Sequence, residues 1–385
     1  MTIRVGVVRE ARPDEARVAL VPDSVRKLRQ AQVAVSVEQG AGEAAGFSDA
    51  DYVGAGATVE PERKAVLTGA SILAAVGRPP DADIERLSPS SGLIGFLRPL
   101  DEPAALHAMI ERGLTAFAME LIPRTARAQA MDALSSMATV VGYKAVIVAA
   151  SRLPRMFPLL MTAAGTVPPA RVLVVGAGVA GLQAIATARR LGAVVEAYDV
   201  RPAAGEEVRS LGATFLDVDL GGISTQDAGG YAVELSEEAL SRGRARIAER
   251  ARQADVVITT AQVPGKRAPL MLTAEAVGGM KRGALVLDLA ASTGGNCALT
   301  KPGQKLSVSG VEILAPLDLA ASVPGHASQL YSRNVSAFLG LLVKDGGRNI
   351  DLQDDILGPA CVSHAGKVMN PRLAALLGQP VPKGA

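Results

Sequence analysis

The 385-residue chain contains no tryptophan, and aromatic residues make up only 3% of it. A platform of stacked rings on which single-stranded nucleic acid is read is therefore not expected. A charge excess of one sign is also missing. The 40 Lys and Arg against 38 Asp and Glu leave a net of +2, and the arginines are scattered rather than run together. No electrostatic footprint of nucleic-acid binding results. Cysteine occurs twice, as Cys297 and Cys361, far apart and outside any Cys-x-x-Cys pattern; two lone thiols read as buried or idle. His107, His326 and His364 show no metal-ligand spacing, so no metal is expected. The apolar runs near Ala145–Ala150 and Met156–Gly165 fall short of the roughly 18–20 residues that span a bilayer. The N-terminus lacks the charged, apolar and cleavage regions of a signal peptide. These absences predict a soluble, cytoplasmic protein without direct membrane insertion.

What is present begins with Arg171-Val-Leu-Val-Val175, a β-branched run suited to a strand buried on both faces. Gly176, Gly178 and Gly181 follow as Gly-x-Gly-x-x-Gly, and an alanine-rich helical pattern runs on to Leu191. Gly176 permits the tight turn, Gly178 lets the backbone approach a pyrophosphate, and Gly181 lets the helix pack close on the strand. The helix would then aim free N–H groups and its positive dipole end at bound phosphates. Such a glycine pattern alone also fits an ordinary βαβ unit. Its context favours a dinucleotide, because Ala193–Tyr198 reads as the next strand and Asp199 stands at its end. A carboxylate there accepts both hydrogens of the adenosine ribose diol and repels a 2′-phosphate. Arg201 pulls the other way, since a nearby arginine can serve a 2′-phosphate. The acidic residue in the expected place favours NAD(H) over NADP(H).

Residues 3–120 alternate strand-like and helix-like segments, which predicts a parallel sheet with helices on its faces. A long helical pattern from Ser135 to Met161, interrupted by Pro154 and Pro158, reads as a crossover between domains. Strand candidates after the glycine turn are Val194–Tyr198, Thr214–Leu216, Val256–Thr259, Ala284–Leu287 and Val311–Leu314. The glycine-rich segment 220–231 reads either as a binding lid or as a plain surface loop. His326–Val343 is helical again, and the turn-rich pieces after it are too few for a domain of their own. The expected fold class is α/β: two Rossmann-like, doubly wound parallel-sheet domains separated by a cleft, the default ligand site. The first domain would comprise residues 1–136 plus 327–385, and the second, the dinucleotide-binding one, residues 137–326.

A second constellation precedes the crossover. Gln129, Asp132 and Ser135 are spaced by three, so on a helix they advance along nearly one face, with Arg124 ahead of them. An amide and a carboxylate in such a row could fix a nicotinamide carboxamide in one orientation. A solvated polar helix start would show the same pattern.

These residues resemble a family. Met119-Glu-Leu-Ile-Pro-Arg-Thr-Ala-Arg-Ala-Gln-Ala-Met-Asp-Ala-Leu-Ser-Ser136, Gly142-Tyr-Lys-Ala145, Ile258-Thr-Thr-Ala-Gln-Val-Pro-Gly265 and Gly294-Gly-Asn-Cys297 look like the NAD(H)-binding component of proton-translocating NAD(P) transhydrogenase. The wider superfamily includes alanine dehydrogenase, which shares the Arg17-Val-Ala-Leu-Val-Pro22 start. The resemblance implies an NAD(P)+ transhydrogenase of the Si-specific/Re-face proton-translocating type, active with partner subunits. Hydride would pass directly between NAD(H) here and NADP(H) on a partner. Arg124, Gln129, Asp132 and Ser135 would hold the nicotinamide end. Gly176, Gly178, Val179 and Gly181 would hold the pyrophosphate, and Asp199, Val200 and Arg201 the adenosine ribose. Gly230 and Tyr231 would close over the nucleotide, with Thr260 and Ala261 along its floor. Implied partners are membrane-embedded transhydrogenase subunits, an NADP(H)-binding component and a second copy of the chain. The implied location is the cytoplasmic face of the inner membrane, reached through those subunits. The chain departs from the family at Ser292-Thr293, where an acidic residue is common. An amino-acid dehydrogenase is the alternative enzyme, yet Gly77-Arg78-Pro79 replaces its substrate lysine motif and Phe96-Leu-Arg98 its histidine. An NAD-sensing module without chemistry is the non-enzyme alternative.

Overall fold

The computed structural model describes residues 3–219, 236–263, 265–344 and 347–380. Gly230, Tyr231 and the rest of the 220–231 segment lie outside the described residues. The chain divides into two compact units, Met1–Met137 with Ala320–Ala385, and Ala138–Leu319.

The first unit carries β1 (Arg4–Val7), β2 (Ala34–Glu38), β3 (Thr58–Glu60), β4 (Ile72–Gly77), β5 (Gly92–Phe96) and β6 (Thr115–Ala118). These six pair in parallel in the order β6-β5-β4-β1-β2-β3. The chain therefore winds outward from β1 in one direction and from β4 in the other, and the order reverses between them. One face of the sheet rests on Leu73, Leu93, Ala116 and Ala118, packed with Leu87, Met109 and Leu373.

The second unit begins with a small antiparallel hairpin of β7 (Leu160–Thr162) and β8 (Gly165–Val167). Its main sheet consists of β9 (Arg171–Val175), β10 (Val194–Tyr198), β11 (Thr214–Phe215), β12 (Val256–Thr259), β13 (Leu285–Asp288), β14 (Lys305–Val308) and β15 (Val311–Leu314). The order is β11-β10-β9-β12-β13-β15-β14, parallel except for β14 at the edge. Val172 and Val174 face one core while Leu173 and Val175 face the other, and all four are at most 2% exposed. Both faces are covered, so the strand reads as an unbroken apolar run rather than an alternation. Each such side chain contributes roughly 1.5–3 kcal/mol relative to exposure. Here too the order reverses, between β9 and β12.

Short strands β16 (Val343–Lys344) and β17 (Gly347–Arg348) pair with each other. The last strands, β18 (Cys361–His364) and β19 (Lys367–Val368), join the first sheet. β18 lies antiparallel to β6, and β19 antiparallel to β18. The turn-rich C-terminal pieces thus extend the sheet of the first unit.

Helix Ala133–Arg152 starts in one unit and ends in the other. It stops well short of Met161, because Pro154 and Pro158 remove donors and clash with the preceding turn. The stretch expected to be helical after them instead enters the hairpin, which leaves Met156, Leu159, Met161 and Val167 exposed. By length and composition this helix could cross a membrane, with a mean hydropathy of 1.6 over eighteen residues. Tyr143 and Lys144 break its apolar run without lowering that average much, so a count of runs missed it. Its Ala145, Val146, Ala149 and Leu153 pack in the core of the second unit.

Gly142 is where this helix meets the glycine turn. A Cβ there would lie 2.2 Å from the Ala180 carbonyl oxygen, a backbone atom at the start of helix Val179–Arg190. Gly142→Ala is expected to destabilise the second unit by about 1–3 kcal/mol through overpacking, measured by denaturant unfolding. Unchanged stability would contradict this backbone-to-backbone contact.

Candidate functional site

The glycine turn leaves the C-terminal end of β9, beside the point where the strand order reverses. Gly176 has φ +99°, and a Cβ on it would meet Thr260 Oγ1 at 2.5 Å. Thr260 follows β12 and donates its hydroxyl hydrogen to the Gly176 carbonyl at 3.0 Å. A Cβ on Gly181 would lie 1.9 Å from that same carbonyl oxygen. Gly178 is different. Its φ is −77°, and a Cβ on it would meet nothing within 4 Å. No atom of the described residues explains the missing side chain at Gly178, so the space beside it suits an external group. Gly178 caps helix Val179–Arg190 without a side-chain hydrogen bond. The first-turn N–H groups therefore face outward with the positive dipole end, beside a half-exposed Val179. A pyrophosphate fits this cradle.

Asp199 stands one residue past β10 and is tied to the turn. Its Oδ2 accepts the Ala177 N–H at 2.7 Å, and its Oδ1 accepts the Arg201 N–H at 2.9 Å. The Arg201 guanidinium adds Nε to Oδ1 and Nη2 to Oδ2, each at 2.9 Å. This hydrogen-bonded ion pair holds the guanidinium above its ordinary pKa. Val200 between them is half-buried. Gly176, Gly178, Gly181, Asp199, Arg201, Thr260 and Ala261 therefore gather at one end of the second sheet.

Sequence reasoning passed over Asp288, which shapes the floor of this end. Fully buried at the end of β13, it accepts from Thr259 Oγ1 (2.9 Å), Thr300 Oγ1 (2.5 Å) and the N–H groups of Ala290, Asn296 and Cys297. Asn296 in turn donates to the carbonyls of Ala261 and Pro269, both at 2.8 Å. The Gly294-Gly-Asn-Cys297 segment is thus a brace for Ala261. Ser292 is exposed and takes no part in that network. Its one legible signal was a carboxylate closing the apolar run Leu285-Val-Leu-Asp288. Both cysteines are free and buried, and burial pushes the Cys361 thiol up to about 12.

In the first unit, Gln129, Asp132 and Ser135 do not share a helical face. Gln129–Met131 forms a single 3-10 turn, Asp132 has φ −69° and ψ 83°, and the helix begins at Ala133. Asp132 behaves as a cap. Its Oδ1 accepts the Ser135 N–H at 2.8 Å and its Oδ2 the Ser135 hydroxyl at 2.6 Å. Arg124 and Gln129 are exposed. The segment is pinned at two points: Asn334 donates to the Ala130 carbonyl at 2.9 Å, and Arg127 pairs with Asp354 at 2.5 Å and with Asp355.

A cavity of about 500 Å³ opens in the same unit, lined by Glu10, Arg17, Glu38, Arg63 and Asp83 among others. Two of its cations, Arg17 and Arg63, are matched by carboxylates of its own lining. Arg17 Nε and Nη2 fork onto Glu15 at 2.7 and 2.6 Å, both residues being under 10% exposed. Arg63 bridges Glu38 at 2.7 Å and Asp83 at 2.5 Å. Glu10 was not foreseen. Desolvation raises its carboxyl to about 7, against hydrogen bonds from the Val76 and Gly77 N–H groups at 2.7 and 3.1 Å. Glu120 is likewise raised to about 7 by burial. Its Oε1 accepts the Arg98 N–H, while its buried Oε2 has no partner among the described residues.

Comparison with known proteins covers nearly the whole chain. Residues 6–141 match the alanine dehydrogenase/PNT N-terminal domain, and residues 145–371 the C-terminal domain of the same description. NAD(P) transhydrogenase subunit alpha of Cereibacter sphaeroides is 44% identical over 96% of this chain and 71% of its own. The crystal structure of transhydrogenase from Sinorhizobium meliloti is similar at a TM-score of 0.84 and 41% identity, covering 96% of this chain and 99% of that one. An L-alanine dehydrogenase structure is similar at 0.82 and 26% identity, covering 98% and 99%.

Two predictions follow from the contacts above. Gly178→Ala is expected to leave unfolding unchanged within about 0.5 kcal/mol yet to weaken dinucleotide binding at least about tenfold, because only the ligand needs that space. Gly181→Ala is expected to lower both. Equal stability losses for the two variants would remove Gly178 from the cradle. The second concerns pH. Glu10 and Glu120 hold their protons to about 7 in the fold against 4.5 unfolded, so the stability they contribute is full below about 4.5 and lost as pH rises to about 7. Glu120→Gln is expected to flatten the fall in melting temperature across that window, and an unchanged slope would contradict the assignment.

Proposed function

This chain belongs to the alanine dehydrogenase/PNT family, and from that membership and the site geometry we propose that it is the NAD(H)-binding component of a proton-translocating transhydrogenase. The observation that carries the cofactor reading is the open space beside Gly178, set by a helix N-terminus and a carboxylate at the end of the neighbouring strand. Gly176 to Gly181 and Val179 would receive the pyrophosphate, and Asp199 and Val200 the adenosine ribose, with Arg201 beside it. Thr260 and Ala261 would line the floor. Arg124, Gln129, Asp132 and Ser135 would orient the nicotinamide end, Asp132 and Ser135 already being locked to each other. Gly230 and Tyr231 remain assigned to a closing loop by resemblance alone.

When bound, NADH would supply a hydride, and NADP+ held by a partner component would accept it, giving NAD+ and NADPH. The chain's own residues bind, orient and exclude water, and none needs to move a proton. Amino-acid oxidation asks for more: a cationic anchor for the substrate carboxylate and a proton carrier. Arg17 is already forked onto Glu15, and the chain has Gly77-Arg78-Pro79 in place of the dehydrogenase lysine motif and Phe96-Leu-Arg98 in place of its histidine. That arrangement favours transhydrogenation over dehydrogenation of a metabolite. Partners in this reading are the membrane-embedded subunits, the NADP(H)-binding component and a second copy of the chain at the cytoplasmic face of the membrane. The exposed apolar hairpin with Met156, Leu159 and Met161 supports the homodimer, since such side chains seek cover.

Asp199→Ala is expected to weaken NADH binding about tenfold and to relax discrimination against NADPH. Gln129→Ala is expected to leave NADH affinity within about twofold while slowing hydride transfer about 10- to 100-fold, because placement is lost rather than binding. Fluorescence titration and single-turnover transfer with the partner component measure the two. Unchanged NADH and NADPH affinities in the first variant would sink the ribose assignment. An unchanged transfer rate in the second would remove Gln129 from the site.

A further inference from the structure

The carboxylate expected to recognise the ribose already accepts four hydrogen bonds, two on each oxygen. An ionised Asp offers two oxygens and about four lone-pair positions. On Asp199, two positions go to backbone N–H groups, Ala177 on Oδ2 and Arg201 on Oδ1. The other two, again one on each oxygen, go to Nη2 and Nε of the Arg201 side chain. The two backbone donors are fixed by the glycine turn and the end of β10. The guanidinium reaches the carboxylate through its side chain, which is 20% exposed against 7% for Asp199. Its fork also reaches the Ala177 carbonyl at 3.3 Å, which seats it over the turn.

A vicinal diol presents two O–H donors side by side, and it needs one acceptor position on each carboxylate oxygen. The Arg201 fork presents two N–H donors in that same pattern. We propose that Arg201 is an internal stand-in for the ribose diol: its fork fills the Asp199 recognition positions and must be displaced when NAD(H) binds. The inference rests on reading this end of the sheet as the NAD(H) site. It assigns Arg201 the opposite effect from a ribose ligand, since the residue competes with the nucleotide instead of holding it.

The same pair sets specificity. A 2′-phosphate offers no donor to Asp199 and needs a cation. Arg201 could meet it only by breaking the fork, which would leave the Asp199 carboxylate uncompensated beside a dianion. The diol replaces both lost hydrogen bonds, whereas a 2′-phosphorylated ribose keeps only its 3′-OH and replaces at most one. Arg201 therefore lowers affinity for NADH modestly without opening the site to NADPH.

The test is equilibrium titration of NADH and NADPH by fluorescence on the purified chain, with no turnover required. Arg201→Ala is expected to tighten NADH about 3- to 10-fold, the scale of a partly exposed forked ion pair. NADPH should gain nothing, so discrimination rises. Arg201→Lys, which cannot fork, should fall between. In an Asp199→Ala background, removing Arg201 should change NADH affinity by less than about twofold, because nothing remains to uncover. Weaker or unchanged NADH binding in Arg201→Ala would overturn the proposal and make the guanidinium a ligand of the nucleotide or a bystander. An equal gain in the Asp199→Ala background would also overturn it. Failure of the wild-type chain to bind NADH would instead reject the nucleotide site itself, and the stand-in with it. Circular dichroism and unfolding of each variant confirm that the comparison is made on folded protein.

Discussion

The second unit depends on backbone meeting backbone where side chains would normally keep it apart. Gly181 brings a helix to within 1.9 Å, Cβ position to oxygen, of the Gly176 carbonyl, and Gly142 brings another to 2.2 Å of the Ala180 carbonyl. Both approaches exist only because hydrogen replaces a methyl group. They place the N-terminus of helix Val179–Arg190 against the end of β9, where the strand order turns over. From that seat the helix presents its unspent N–H groups, and Asp199 at the next strand end reaches back to Ala177. The remaining parts, Thr260 on the Gly176 carbonyl and Asn296 on the Ala261 carbonyl, brace the arrangement from the side of β12 and β13.

The first unit repeats the winding with a different outcome. Its sheet also reverses order, between β1 and β4, and a cavity lies beside the ends of β1 and β2. Glycine spacing is absent there, however, and the charged groups pair across the cavity as Arg17–Glu15 and Arg63 with Glu38 and Asp83. Pairs of this kind hold the walls. What the unit contributes to the proposed chemistry is a short exposed segment around Gln129, kept in place from outside by Asn334, Arg127 and the Asp132 cap. In the proposed function the same architecture would serve as a nucleotide cradle in one unit and as a mounting for orienting residues in the other.

Local signals carried most of the second unit. The run Arg171–Val175, the glycine spacing and Asp199 are all within thirty residues, and each states its geometry through period or backbone freedom. Strand β14 was missed because Lys305-Leu-Ser-Val308 sits at an edge, half exposed, with no apolar run to announce it. The row Gln129–Asp132–Ser135 was read as a helical face, although Asp followed three residues later by Ser is equally a helix start; the cap stops the helix from reaching back to Gln129. Partners distant in sequence were illegible: Thr300 and Asn296 converge on Asp288 only once β13 and its turn are formed. The fork of Arg201 on Asp199 is local, yet two neighbouring charges of opposite sign read equally well as a ribose site and a phosphate site. Only the positions of four donors on one carboxylate separate those meanings.

The account holds that this chain presents a reduced dinucleotide to a second one and handles no metabolite. The most direct test is a single-turnover experiment in which the NADH-loaded chain is mixed with the NADP(H)-binding component carrying NADP+, and reduction of the NADP+ is followed by absorbance. The account predicts rapid reduction that requires both components, and no NAD+ reduction when the chain alone is given alanine or another amino acid. Turnover of an amino acid by the isolated chain, with no transfer in the mixture, would contradict it.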